Sequence, residues 1–130
     1  MSPRKDVPHQ QLQEFVVIDY SKDMVILASA KSGEKEDVVG LGQYSIAETT
    51  HTAEVAFLVR DDCQNKGIGS EMLSYLTYLA KRQGLLGFTA ETLMENRQML
   101  RVFDKMGYDT QKSGSGGVYE LRMMFKDRAL

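Results

Sequence analysis

The most constraining feature of this sequence is a helical stretch enclosed between two strand-like runs, AEVAFLVR (53–60) and LLGFTAETL (85–93). Between them, apolar residues recur at steps of three and four from Ile68 to Ala80, which predicts a helix with one buried face. A helical connection of this length joins strands that lie parallel in one sheet, by a right-handed crossover. The sequence therefore predicts a parallel strand pair with a helix packed across it.

More strands are predicted upstream. FVVIDY (15–20) and MVILASA (24–30) are rich in β-branched residues and form a strand or a strand pair, and VVGLGQYSI (38–46) is the next strand. The polar stretch at 9–15 is interpreted as a short helix, and KSGEKED (31–37) as a hairpin loop. Gly40 and Gly42 lie two residues apart inside a predicted strand, which indicates a bulge or a close backbone approach.

A second helix and a final hairpin are predicted downstream. The helix is ENRQMLRVFDKMGY (95–108), and the strands YDTQK (108–112) and VYELRMMF (118–125) flank the glycine hairpin SGSGG (113–117). A length of 130 residues suits one domain over 1–130. The predicted fold class is α/β, with a mixed α+β sheet.

Composition excludes several classes of function. The chain is 42% hydrophobic and 26% charged, with a net charge of −2, so it lacks the basic surface typical of nucleic-acid binding. A single cysteine, Cys63, and two distant histidines cannot build a zinc site, so no metal is expected. No apolar run approaches the ~18 residues of a membrane span, and the N-terminus lacks the apolar core of a signal peptide. The predicted location is cytoplasmic.

The segment QNKGIGS (64–70) places two glycines where the first long helix should begin. The first turn of a helix has backbone N–H groups without intrahelical partners, and glycine lets a phosphate approach them closely. Alternatively, Gly67 only makes the turn and Gly69 only relieves crowding against the sheet. The loop is not a Walker motif, because no G-K-[ST] follows Gly69, and residue 72 is Met where a dinucleotide fingerprint has its third glycine.

Taken with its surroundings, this loop resembles the cofactor-binding half of the GNAT superfamily of N-acetyltransferases. The matching residues run from Ala53 to Tyr108 and comprise a strand, the Q-x-x-G-x-G loop, a helix, a strand, Asn96, a second helix and a terminal K-x-G-Y. The likeness is greatest to bacterial protein-lysine acetyltransferases. The resemblance implies the GNAT acyl-CoA N-acyltransferase fold. It implies a shortened N-terminus too, since only about 14 residues precede FVVIDY, so another domain or a second copy in a homodimer would complete the acceptor site.

The resemblance implies acetyl-CoA as the acetyl donor. Its diphosphate would lie on the backbone N–H groups of residues 64–70, and its pantetheine arm would pair with the end of strand 53–60. The implied cofactor-binding residues are Phe57, Leu58, Val59, Gln64, Asn65, Lys66, Gly67, Ile68, Gly69, Ser70, Asn96 and Phe103. Asn96 would also cap the second helix.

Glu54 is the leading candidate for the general base that the resemblance requires. A lysine amine has a pKa of about 10.4 and must lose a proton before it attacks the thioester. Glu54 lies ~20 Å along an extended strand from Arg60, at about 3.3 Å per residue, which is of the order of a pantetheine arm. Glu91 and His51 are weaker candidates, and Glu54 as a solvated edge carboxylate remains the alternative.

The family's usual general acid is missing. Many members carry Tyr seven residues after the Asn, where this chain has Phe103. Tyr108 or Tyr119 would then protonate the leaving thiolate, or it would leave unassisted, since a thiol has a pKa near 8.5. The family's usual route is direct attack by the amine, so Cys63 is a poor nucleophile candidate. The implied catalytic residues are Glu54, Asn96 and Tyr108.

Three functions follow from these residues. The leading one is acetylation of protein lysine, and the second is acetylation of a small amine. The third is a non-catalytic acyl-CoA-binding regulatory domain, which Phe103 and the short N-terminus favour.

Overall fold

A computed structural model of the protein describes residues 12–32, 35–64 and 67–126. Its helices and strands are β1 (Leu12–Asp19), β2 (Asp23–Ser32), β3 (Lys35–Ala47), β4 (Thr52–Val59), α1 (Ile68–Arg82), β5 (Gly87–Leu93), α2 (Arg97–Lys105), β6 (Asp109–Ser115) and β7 (Val118–Met124). The strands form one mixed sheet in the order β1-β2-β3-β4-β5-β7-β6. The mixed sheet is the predicted fold class.

The parallel pair predicted from the sequence is β4 and β5, joined through α1. The two strands pair only where Thr52–Glu54 face Gly87–Thr89. Beyond Glu54 they separate, and β5 continues to pair with β7 while β4 continues to pair with β3. The separation opens a cleft at the carboxyl end of β4, which is the end where ligands bind in parallel pairs.

Two predictions from local composition are wrong. The predicted helix at 9–15 is strand from Leu12 onward, and residues 9–11 lie outside the described part of the chain. The predicted loop at 31–37 is mostly strand, because Lys31 pairs with Glu36 and Ser32 with Lys35. In both places backbone pairing with a neighbouring strand decides the structure, although the side chains are polar.

Close packing between α1 and β3 depends on the two glycines of β3. A Cβ atom on Gly40 would lie 3.0 Å from Met72 Cε, and one on Gly42 would lie 3.1 Å from Leu76 Cδ1. The register also shifts between Ala28 and Ser29 on the facing strand, as expected for a bulge. The predicted bulge is therefore confirmed beside Gly40, whereas the closest approach at each glycine is made by a side chain of α1 and not by backbone.

The two faces of the sheet differ. The buried face of α1 packs on β2, β3 and β4, and α2 joins it on the same side through contacts with α1. On the opposite face, apolar residues of β1–β4 lie directly beside one another in register: Val16, Leu27, Leu41 and Leu58. Glu54 lies on this second face, between the buried Ala53 and Val55. Neither α1 nor α2, the helices in the described ranges, is long and apolar enough to span a membrane.

Candidate functional site

A cavity of about 500 Å³ lies where β4 and β5 separate. Its walls are the end of β4, the loop that follows, the first turn of α1 and one side of α2. Most residues that the sequence assigns to cofactor binding line it: Phe57, Leu58, Val59, Gln64, Gly67, Gly69, Ser70 and Asn96. The predicted strand, loop and second-helix components therefore meet in one place.

The end of β4 offers a free backbone edge to this cavity. Residues 55–59 pair with β3 on one side but have no partner in β5 on the other. An unpaired strand edge presents N–H and C=O groups in a row, which an extended ligand can pair with. The Val59 carbonyl is the exception, since it accepts a hydrogen bond from Gln64 Nε2 at 3.2 Å.

The first N–H groups of α1 have no hydrogen-bond partner among the residues that the structure describes. Gly67 is the N-cap residue and has no side chain to cap the helix; the first bond runs from the Glu71 N–H to the Gly67 carbonyl at 3.0 Å. No acceptor among the described residues contacts the N–H groups of Gly69 or Ser70. Together with the helix dipole, such groups attract an anion.

The two glycines of the loop have separate roles. Gly67 has φ 84°, and a Cβ atom there would meet nothing within 4 Å, so the residue makes a left-handed turn facing open space. A Cβ atom on Gly69 would lie 3.2 Å from Phe57 Cε2 and 3.8 Å from Val102 Cγ2. Gly67 therefore makes the turn and Gly69 relieves crowding against Phe57. The start of α1 remains accessible from the cavity in this arrangement. Asn65 and Lys66 lie outside the described residues.

Gln64 and Asn96 hold the cavity walls in place. The Gln64 side chain donates to the Val59 carbonyl and to Asp61 Oδ1, so it ties the loop back to β4. Asn96 Oδ1 accepts a hydrogen bond from the Met99 N–H at 3.1 Å, which confirms the predicted N-cap of α2. Because Asn96 also lines the cavity, capping leaves it beside the candidate ligand site.

Two residues assigned to cofactor binding lie behind the cavity wall. Phe103 is 5% exposed, and its ring packs edge-on against Phe57 at 5.7 Å between centroids. Ile68 is 7% exposed and belongs to the hydrophobic core. Neither side chain is part of the cavity lining. Phe103 instead packs against the lining residue Phe57.

Sequence reasoning missed several lining residues: Cys63, Gln98, Met99, Arg101, Val102 and Lys105. Gln98, Arg101 and Lys105 are spaced by three and four residues, so they share one face of α2. That spacing was visible after Asn96, but it indicates only a common helix face. Which face lines the cavity depends on how α2 packs against α1.

Cys63 lines the cavity as a protonated thiol. It is 6% exposed, and burial raises its pKa, with a smaller contribution from the adjacent Asp62 carboxylate. Asp62 itself pairs with Arg60 at 2.6 Å between Nε and Oδ1. A raised pKa disfavours the thiolate and supports the expectation that Cys63 is a poor nucleophile.

Glu54 and Glu91 meet in a second cavity, of about 450 Å³, on the other face of the sheet. Glu54 faces Thr89 in the last residue pair before β4 and β5 separate. Glu91 faces Glu120 on β7, and Arg122 lines the same cavity. Glu54 therefore lies at the apex of the cleft, whereas His51 is an exposed turn residue outside this lining.

Tyr108 is packed away from both of these cavities. Its hydroxyl lies 2.8 Å from Thr77 Oγ1, and its ring contacts those of Phe88 and Phe125. Burial raises the pKa of Tyr108 to about 12. Tyr119, the other tyrosine considered, lies under the Lys112 ammonium at 4.8 Å from the ring centroid. The role of either tyrosine as an acid stays a prediction.

Within the described ranges, no group of three or more His, Cys, Asp and Glu residues is arranged to hold a metal ion.

Comparisons with known proteins agree with this geometry. A family model described as the acetyltransferase (GNAT) family matches residues 2–108. Acetyltransferase Pat from Mycolicibacterium smegmatis is 42% identical over 55 residues, which are 42% of this chain and 16% of that protein. The crystal structure of the GNAT domain of S. lividans PAT superposes with a TM-score of 0.69 at 28% identity, over 83% of this chain and 64% of that one.

A cAMP-binding acyltransferase from Mycobacterium smegmatis also superposes, with a TM-score of 0.69 at 25% identity. The alignment covers 85% of this chain but only 34% of that protein. The chain therefore spans less than two thirds of each of these three relatives.

Proposed function

This chain belongs to the acetyltransferase (GNAT) family, and we propose that it is an acetyl-CoA-dependent N-acetyltransferase whose acceptor is a protein lysine. The observation that carries the proposal is the cavity at the β4–β5 cleft. It combines a helix start with unpartnered N–H groups and a strand edge with unpaired backbone. Those two features suit the diphosphate and the pantetheine amides of one ligand.

The donor would lie along the cavity in one direction. Its diphosphate accepts hydrogen bonds from the first turn of α1, beside Gly67 and Gly69. Its pantetheine arm continues along Phe57–Val59 as an added strand, and its thioester reaches the apex of the cleft near Glu54. Asn96 contacts the arm from the start of α2. Asn65 and Lys66, which the sequence also assigns to the diphosphate, complete the loop.

The acceptor would approach from the second cavity. Glu54, Glu91 and Glu120 line that cavity, and carboxylates attract the ammonium group of a lysine. The likeness to Acetyltransferase Pat supports acetyl transfer, and the resemblance of the sequence to bacterial protein-lysine acetyltransferases favours a protein lysine over a small amine.

Glu54 would take the proton that the lysine must lose. The neutral amine attacks the thioester carbonyl, a C–N bond forms and the C–S bond breaks. The attacking nitrogen loses its second proton to solvent as the amide forms, and CoA leaves as a thiolate. The observation in favour of Glu54 is its position at the apex of the cleft, on the acceptor side. Phe103 has no proton to give, and Tyr108 is packed against Phe88 and Phe125. The thiolate would therefore leave without a proton from either residue, and a thiol pKa near 8.5 allows such unassisted departure.

A second copy of the chain or another domain would complete the acceptor surface. The support is the in-register apolar row Val16, Leu27, Leu41 and Leu58 on the same face of the sheet as Glu54. Leu58 is 71% exposed, which is unusual for a large apolar residue in a strand. Light scattering over a range of protein concentrations, with a Leu58→Ser variant as control, tests the second copy.

The direct test is the release of free CoA from acetyl-CoA. We expect release with a lysine-rich protein acceptor and little release with small amines or with a lysine-acetylated control. Release driven better by small amines would favour the small-molecule alternative. Saturable acetyl-CoA binding without any release would favour a regulatory module.

A further inference from the structure

The face of α2 that lines the 500 Å³ cavity carries two basic side chains whose role the proposed acetyl transfer does not explain. Arg101 and Lys105 are four residues apart, so they lie one turn from each other on the same helix face. Together with Val102 they are the lining residues of α2 that lie farthest along the helix from Asn96. Their charges therefore lie farther along α2 than its N-cap end.

Packing between the two helices brings α2 close to the start of α1. Val102, the neighbour of Arg101, has its Cγ2 atom 3.8 Å from the position of a Cβ atom on Gly69. Gly69 belongs to the first turn of α1, whose N–H groups face the same cavity. A ligand whose diphosphate lies on this turn would therefore share the cavity with Arg101 and Lys105.

Neither charge is neutralised by the described part of the protein. The ion pairs found there are Arg60 with Asp62 and Lys22 with Glu48. Arg101 and Lys105 form no ion pair with the described residues, although Asp104 follows Arg101 by three residues and immediately precedes Lys105. Two unpaired cations on a cavity wall favour an anionic ligand group.

The first turn of α1 already supplies the N–H groups that a diphosphate needs. Coenzyme A carries one more phosphate, the ribose 3′-phosphate, which is a monoester with a charge of about −1.5 to −2 at neutral pH. An arginine fork and a lysine ammonium are the side chains best suited to such a group. We propose that Arg101 and Lys105 bind the 3′-phosphate of the donor and so select coenzyme A over its dephosphorylated form. The inference rests on the proposed function, because it takes the donor to be an acyl-CoA.

The experiment compares two probes, CoA and dephospho-CoA, which differ only in the 3′-phosphate. Calorimetric titration of the full chain gives the ratio of their dissociation constants. Since a hydrogen bond to a charged group contributes a factor of about ten or more, we expect wild type to bind CoA roughly 10- to 100-fold more tightly. In the double variant Arg101→Gln with Lys105→Gln, which keeps both apolar stems, the ratio should fall to about 2 or less.

Arg97→Gln is the matched control, because it removes one positive charge from an exposed position of α2 that does not line the cavity. The ratio should stay at its wild-type value in this variant. An equal loss in Arg97→Gln, or an equal weakening of both probes in the double variant, would overturn the assignment to the 3′-phosphate. A wild type that binds both probes equally well would overturn it too, while leaving the proposed function intact. Failure to bind either probe would instead overturn the proposed function itself.

Discussion

Glu54 illustrates what one residue can and cannot reveal from sequence alone. The sequence predicted that it lies at the start of the strand that feeds the glycine loop. In the structure it is also the last residue of β4 to pair with β5, which places it at the apex of the cleft. The carboxylates around it, Glu91 and Glu120, come from strands whose pairing no local pattern specifies. The carboxylates around Glu54 therefore depend on the pairing of β7 with β5, which the sequence did not predict.

Replacing Glu54 tests its role as a base. Glu54→Gln should lower kcat by about 10²–10⁴-fold, because a general base contributes that much, while acetyl-CoA affinity stays nearly unchanged. Steady-state rates from pH 7 to 9 measure the effect, and Glu91→Gln in the same cavity is the control. Equal turnover in Glu54→Gln and wild type over that range would remove Glu54 from the mechanism.

Tyr108 should matter for stability and not for turnover. Its pKa is raised by burial to about 12 in the folded protein, against about 10 when unfolded. The unfolded state therefore ionises first, and the stabilisation is complete below pH 10 and lost as the pH rises through 12. Wild type should lose on the order of 2–3 kcal/mol between these pH values because of this group, and Tyr108→Phe should lose less. Denaturant unfolding of both proteins measures the difference; a large loss of kcat in Tyr108→Phe would restore it as the acid.

At the scale of elements, periodicity predicted both helices and the parallel crossover, but local composition misjudged where strands end. Residues 31, 32 and 35–37, and the described residues 12–14 before Phe15, join the sheet because the facing strand offers backbone partners. The hairpin at 113–117 is likewise paired up to Ser115, and only Gly116 and Gly117 turn, both with positive φ. Hydrogen bonding between distant segments cannot be read from residue types within one segment.

The cap of α2 gives a test at this scale. Asn96→Ala should lower the free energy of unfolding by about 1 kcal/mol, since the Met99 N–H loses its acceptor. Asn96→Ser should recover most of that stability because serine is also a good cap. If Asn96 contacts the donor as well, both variants should still bind acetyl-CoA more weakly than wild type. Unchanged affinity in Asn96→Ser would limit Asn96 to capping.

The junction between β4 and α1 gives another test at this scale. Gly67 has φ 84°, which an L-residue adopts only with strain, so Gly67→Ala should destabilise the fold by about 1–2 kcal/mol. Gly67→Asn should cost less, because asparagine tolerates this conformation. Thermal unfolding of the two variants measures the difference. Equal stability of Gly67→Ala and wild type would mean that the loop does not need this turn.

For the whole molecule, the sequence predicted that a strand, a glycine loop and two helices would meet, but not the cavity that they form. Arg101 and Lys105 line it only because Val102 packs beside Gly69, a contact between residues far apart in the chain. The same geometry predicts that the donor stabilises the fold as a unit. Acetyl-CoA at 100 times its Kd should add about 2.7 kcal/mol and raise Tm by on the order of 10 °C. Acetate at equal concentration should leave Tm unchanged.

An NMR titration of nitrogen-15-labelled protein with acetyl-CoA tests most directly whether the first turn of α1 binds the donor. The account predicts saturable shifts that are largest for the backbone amides of Gly67, Gly69 and Ser70, followed by those along the free edge of β4. Saturation without movement of these amides, or no response at millimolar acetyl-CoA, would contradict it.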